Sequence, residues 1–256
     1  MLFKPFSFYK PKVIAGAAGP AFRSDPNASD LVFATPGALF GTLGMTYAWS
    51  DVHADIKGSG TNKTVLTTSI SADNTYNNFT SDGYASATDI TGTTSALRKS
   101  DDTDFEFGSG DFTIESWVNK GTNTSAGRYV FSDFLKFNPP QIQLWFALPS
   151  TGTMQIQYND SGGGTVKTTA AQTWTSGQWY HIALSRSGSS WYMFRDGVSL
   201  LSWSDSTTLN TTNQPKYIMG HSNGGGDTVW LQDYRIYKGV GKYTGTFTPP
   251  PSMVIG

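Results

Sequence analysis

Cleaving a glycosidic bond takes two carboxyl groups flanking it, about 5 Å apart when the reaction retains configuration. The chain has only two glutamates, Glu106 and Glu115. Glu115 lies in the run DFTIESWVN, whose alternation puts Phe112, Ile114, Ser116 and Val118 on one face and Thr113, Glu115 and Trp117 on the other. Neither neighbour on its face is an acid. Asp111 shares the parity of Glu115 but falls in the turn before the run. No catalytic residue is expected, and the chain reads as a non-enzyme.

Metal ligation finds little support. His53, His181 and His221 are far apart, with no His-x-x-x-His spacing and no cysteine partner. His181 is expected to pack within a sheet. The segment SDDTDFEFGSGD sets Asp102, Asp104 and Glu106 at alternate positions, but Phe107 stands where a calcium loop needs glycine. Phe105 and Phe107 alternate as in a strand, which predicts solvated acids along an edge.

Sugar binding needs an aromatic plate for the CH face and fixed polar groups for the hydroxyl rim. Trp174, Trp191 and Trp203 lie near turns and are the candidate plates, with NDSGGGT and HSNGGGD as flexible polar loops. Core packing is the competing reading for each tryptophan. Asp233 and Arg235, at alternate positions of VWLQDYRIY, are expected to form a structural ion pair on one sheet face.

The elements that must hold these residues are strands. Aromatics make up 14% of the 256 residues, charged residues also only 14%, and glycines number 28. That balance suits short strands and tight turns. Strands are predicted at DFTIESWVN, RYVFSDF, QIQLWFAL, TMQIQYN, WYHIALSR, SWYMFRDG, KYIMG and VWLQDYRIY. Turns are predicted at Ser187–Ser190 and at Arg195–Val198, whose Asp-Gly pair accepts positive φ. The Thr/Ser-rich stretch from Gly58 to Lys99 is expected to hold strands near Thr64–Ser71 and Phe79–Ala87. No window has the spacing of an amphipathic helix, so the fold class is all-β, a sandwich or a barrel.

A formal net charge of −1 and the lack of any basic run argue against a nucleic-acid partner. No stretch is apolar for long enough to cross a membrane as a helix. With no cysteine, the fold uses no disulfide. The opening MLFKPFSFYKPKVIAGAAGPAF is a poor signal peptide, because its apolar part is short, Gly-rich and broken by Pro20. It reads as an extended arm over residues 1–28, ahead of one domain over 29–256. Phe3, Phe6, Phe8 and Tyr9 cannot form a core alone, so the arm either packs back on the body or anchors in another protein.

The segments GSGDFTIESWV, GQWYHIALSRSGSSWYMFRDGVSL and YIMGHSNGGGDTVWLQDYRIYKGVGKYTGTFTPP resemble the laminin G-like group of concanavalin A-like domains. The matching residues are Trp117, Trp179 with His181, Phe194 with Asp196 and Gly197, and Asp233, Arg235 and Ile236. The tail KGVGKYTGTFTPP and the upstream SDVHADIKGSGTNKTV are similar to the version of this domain found in bacteriophage virion proteins. The likeness spans roughly residues 29–250.

The resemblance implies an antiparallel jelly-roll β-sandwich whose first and last strands pair in mid-sheet. Trp230, Gln232, Tyr234 and Ile236 then alternate against Leu231, Asp233, Arg235 and Tyr237. The prolines of TPPP end the sheet and carry the chain away over the surface. The single ion it suggests is rim calcium at Asp160 or Asp227. No other cofactor is expected.

The functional expectation is a non-enzymatic virion structural protein at the particle surface, a capsid decoration or spike assembled in the bacterial cytoplasm. Its partners are other virion proteins, host-surface glycan, and further copies of itself. A tail-associated receptor binder and a bacterial extracellular lectin are the alternatives.

Overall fold

The computed structural model describes residues 21–22, 25–35, 46–48, 64–68, 70–73, 78, 87–90, 96–99, 103–120, 128–135, 141–149, 151–160, 164–209, 216–220, 229–251 and 254–255. The first strands are β1 (Ala21–Phe22), β2 (Leu31–Thr35), β3 (Thr46–Ala48), β4 (Thr64–Thr68), β5 (Ile70–Asp73), β6 (Ala87–Ile90) and β7 (Ala96–Lys99). Next come β8 (Phe112–Asn119), β9 (Arg128–Leu135), β10 (Gln141–Leu148), β11 (Gln155–Asp160) and β12 (Thr165–Thr168). The remainder are β13 (Tyr180–Ser187), β14 (Ser190–Arg195), β15 (Val198–Ser204), β16 (Lys216–Gly220), β17 (Val229–Lys238) and β18 (Val254–Ile255).

Two large antiparallel sheets make a jelly-roll sandwich. One runs β12-β11-β10-β9-β16-β7-β4-β3 and the other β15-β14-β13-β8-β17-β6-β5, with β2 also on β17. β17 is central, as expected. One edge carries β8; along the other, Val229–Leu231 pairs with β6 and Tyr234–Tyr237 with β2. The early strand β2 and the late strand β17 therefore meet in mid-sheet.

The core lies between the sheets. Phe112, Ile114, Val118, Ile182, Leu184, Trp191 and Ile236 come from one sheet, and Phe131, Phe146, Ile156 and Tyr158 from the other, all fully buried. Phe107 stacks on Phe112 at 4.3 Å, and Tyr158 stacks on Trp191 at 5.0 Å. The Tyr234 hydroxyl crosses the core to donate to the Val130 carbonyl at 2.9 Å.

The predicted strands from DFTIESWVN onward are all present. The hairpin turns behave as their residues demand, with Asp196 at φ 51° and Gly197 at φ 79°. Two local expectations fail. Thr103–Phe105 is a 3-10 turn, and Phe105 and Phe107 sink into the core rather than lining a strand, so Asp104 and Glu106 are half-buried beside it. The alternation of β17 also breaks. Asp233 has φ 56° and forms a bulge, so the register skips between Gln232 and Arg235. Gln232 lies opposite Trp117 and Arg235 opposite Glu115, which puts both on the Glu115 face.

The exit of the chain is the third difference. After β17 the ladder ends at Lys238 as expected, but the segment 239–251 does not run away from the body. It folds back as a strap across the outer face of β8, β13, β14 and β17. The Lys242 N–H donates to the Thr113 hydroxyl at 3.0 Å, the Phe247 N–H to the Gly197 carbonyl at 3.0 Å, and Arg235 Nη2 to the Pro251 carbonyl at 3.0 Å. Phe194 is fully buried outside the main core, packed by Tyr243 and Phe247. These strands are thus covered on both sides, and β8, β13 and β17 are buried in both phases of their alternation.

Beyond the strap, β18 pairs with β1, and Asp25 accepts a hydrogen bond from the Tyr237 hydroxyl. The expected arm is therefore tied to the body over its last part. Phe3, Phe6, Phe8 and Tyr9 lie outside the described residues, as do His53, Asp102, His221, Asp227 and residues 79–86.

Candidate functional site

The strap covers a buried charge cluster centred on Glu115, which is 1% exposed. Alternation in β8 forces this carboxylate onto the outer face. β13 brings His181 alongside, β17 brings Arg235, and the strap closes from above. Lys242 Nζ donates to Oε1 at 2.7 Å, the Tyr243 hydroxyl to Oε2 at 2.6 Å, and His181 Nε2 lies 3.3 Å from Oε2.

Burial alone would raise the Glu115 carboxyl. The Lys242 ammonium, the His181 hydrogen bond and the Arg235 charge outweigh it and hold the group well below the usual carboxylate range. Burial, then the Glu115 charge and hydrogen bond, push the Tyr243 hydroxyl far up. Burial would also depress Arg235, but Asp233, Tyr237 and Glu115 keep it firmly protonated. The expected Asp233–Arg235 ion pair is present, across the bulge.

This arrangement does not supply a general acid. A general acid must hold a proton near neutral pH, and Glu115 is a fixed anion. Both of its oxygens are engaged by donors. The second acid nearby, Asp233, is paired with Arg235. Tyr243 and Phe247, stacked at 3.5 Å, roof the face where a substrate would have to lie.

A second constellation sits at the rim. The Trp174 indole N–H donates to the Gly152 carbonyl at 2.8 Å, and the ring meets Tyr180 edge-on at 5.0 Å. The Arg195 guanidinium lies 5.2 Å from the Trp174 ring centre and 5.0 Å from that of Tyr180. Lys120 Nζ approaches the same indole at 5.9 Å. Trp174 remains partly exposed. These contacts join β8, β13, β14 and the loops around Gly152 and Trp174.

The three candidate tryptophans separate clearly. Trp191 is fully buried between Tyr158 and Trp203 and offers no face to a ligand, because the edge of the sandwich closes on it from both sheets. Trp203 is half-buried, stacked on Trp191 at 5.6 Å, and donates to the Tyr158 hydroxyl at 3.2 Å. Trp174 carries two cations on its ring and stays partly exposed, whereas the one over Trp191, Arg186 at 4.9 Å, is buried with it. Asp160 ends β11 opposite Ile142. Among the described residues, no three His, Asp or Glu side chains cluster to hold a metal.

The sequence reading missed Lys242, Tyr243 and Phe247, and at the rim Arg195, Lys120 and Tyr180. The available signal was a cation and two aromatics inside a Gly/Thr/Pro tail that otherwise reads as surface.

Residues 91–240 match the family model of the concanavalin A-like lectin/glucanases superfamily. Among curated proteins, none matches the chain. Solved structures do. The binding domain of Paraclostridial Mosquitocidal Protein 1 superposes with a TM-score of 0.56 at 15% identity, covering 82% of this chain and 49% of that one. Trypanosoma rangeli sialidase gives 0.53 at 14% identity, covering 82% and 31%. Botulinum neurotoxin type C, whose cell entry depends on interaction with two ganglioside molecules, gives 0.50 at 12% identity, covering 71% and 44%. The chain thus spans half or less of each of these structures, and the likeness is one of fold.

Proposed function

The chain belongs to the concanavalin A-like lectin/glucanases superfamily, and we propose that it serves there as a non-enzymatic, lectin-like module that adheres to glycans. The reading is carried by the state of Glu115. The carboxylate best placed for hydrolysis on this fold is ion-paired, doubly hydrogen-bonded and roofed by the chain's own strap, whereas the rim keeps a partly exposed tryptophan. Structures of similar fold include the binding domain of Paraclostridial Mosquitocidal Protein 1 and botulinum neurotoxin type C, whose cell entry depends on two ganglioside molecules, which supports adhesion over cleavage. The sialidase likeness covers only 31% of that enzyme and carries no activity to this chain. A glycan array probed with the full chain should show retained saccharides, and incubation should release no reducing sugar. A chain that retains none, or that cleaves what it retains, refutes the reading.

The finer proposal is display on a bacteriophage particle, as a capsid-surface decoration or spike. It is supported by the likeness of KGVGKYTGTFTPP and SDVHADIKGSGTNKTV to virion versions of the domain. The arm, with Phe3, Phe6, Phe8 and Tyr9, docks into another virion protein. Removing residues 1–20 leaves the Asp25 contact in place. The shortened chain should fold but no longer join particles; full occupancy would rule the anchor out.

A further inference from the structure

Resting on the glycan-binding reading, we infer that the Trp174–Arg195 rim is a ligand subsite and that it takes a saccharide carrying a carboxylate. Two cations meet one indole there, Arg195 at 5.2 Å and Lys120 at 5.9 Å from the ring centre. Lys120 is only 7% exposed, with its Nζ donating to the Pro149 carbonyl at 3.2 Å. Arg195 Nη1 donates to the Thr173 carbonyl at 2.8 Å, which fixes the guanidinium plane against Trp174 and Tyr180. The Arg195 side chain is 21% exposed, so part of its fork faces solvent.

The acid beside it is a weak competitor. Asp196 Oδ2 stands 3.8 Å from Arg195 Nε, while Oδ1 accepts the His181 N–H at 2.9 Å. A sugar ring presents CH groups to the exposed part of the indole face, and a carboxylate on that ring reaches the guanidinium as a paired acceptor. The same anion also gains from the second positive charge, Lys120, at that indole. A neutral sugar gains the first contact and neither of the others. The site needs little reorganisation, because Trp174 is pinned by Gly152 and Arg195 by Thr173.

The test titrates the full chain with 3′-sialyllactose, a galacturonate oligosaccharide and neutral lactose, following the tryptophan indole N–H resonances. One or both acidic sugars should bind at least about tenfold more tightly than lactose, and which of them binds identifies the source of the carboxylate. Affinity should fall as salt rises. Arg195→Gln should lose that preference, and Arg195→Lys should recover only part of it, with melting temperatures confirming that both variants fold. Equal binding of lactose and the acidic sugars, or acidic binding untouched by Arg195→Gln, overturns the subsite and leaves the adhesive reading standing. Failure of every saccharide, here and on an array, overturns both.

Discussion

Lys242 donates to Glu115 across 2.7 Å and 127 positions of sequence. The bond joins the strap to the middle of β8. It converts what would be an open acidic sheet face into a closed polar layer, with Tyr243 on the second carboxylate oxygen and His181 beside it. The charge is affordable in so dry a place because every neighbour that meets it is a donor or a cation.

Replacing Lys242 by Met leaves Glu115 buried without its nearest cation. Urea unfolding should show a loss of about 3 kcal/mol, the range for breaking a buried pair from one side. The Glu115→Gln, Lys242→Met double variant should lose clearly less than the two single losses combined, because the stranded charge is then gone.

The same cluster sets both ends of the pH–stability curve. The folded Glu115 carboxyl lies below its unfolded value near 4.5, so its stabilisation is present above that value and fades as pH falls toward the folded one. Glu115→Gln should flatten this acid limb. The buried Tyr243 and Tyr237 hydroxyls are raised above 10.0, so their contribution is intact below pH 10 and is lost as pH rises past it. Tyr158, pushed up to about 12 by burial and then by Asp205, adds loss between those two values. Tyr243→Phe should soften the alkaline limb. Thermal melts across the pH range read both ends.

Gly197 is where the strap touches the β14–β15 turn. A Cβ there would meet the Phe247 carbonyl oxygen at 1.8 Å, and the residue already has φ 79°. Gly197→Ala should cost roughly 2 kcal/mol or more and expose residues 239–251 to limited proteolysis. An unchanged digestion pattern would show that the strap does not depend on this contact.

Trp191 belongs to the core. Trp191→Ala should destabilise the chain by about 3–5 kcal/mol, and any glycan retention measured on the fraction that remains folded should be unchanged. Selective loss of binding at full stability would place the ligand at this edge instead.

Much of the fold was legible because its cause is local. Period-2 alternation marked β8, apolar runs between turn signals marked β10, β13 and β17, and the Asp196-Gly197 pair marked its own turn. The Asp233–Arg235 pair was legible in partner but not in geometry, since a bulge residue at positive φ leaves no trace in apolar spacing. Phe105 and Phe107 misled for a similar reason: two aromatics at alternate positions fit a strand or a tight turn diving into a core. Trp174 and Trp191 looked alike in sequence, each a tryptophan near a turn.

What the sequence by itself determined is the class of the protein: an all-β chain of alternating strands, poor in charge, with one glutamate isolated among non-acidic neighbours. Only the tertiary structure decided what that glutamate and those tryptophans do. Burial and ion pairing depend on which distant segments converge, and here the strap's return, not any feature of β8, encloses Glu115. The same convergence shuts Trp191 between two sheets and leaves Trp174 at the rim with Arg195 on its ring.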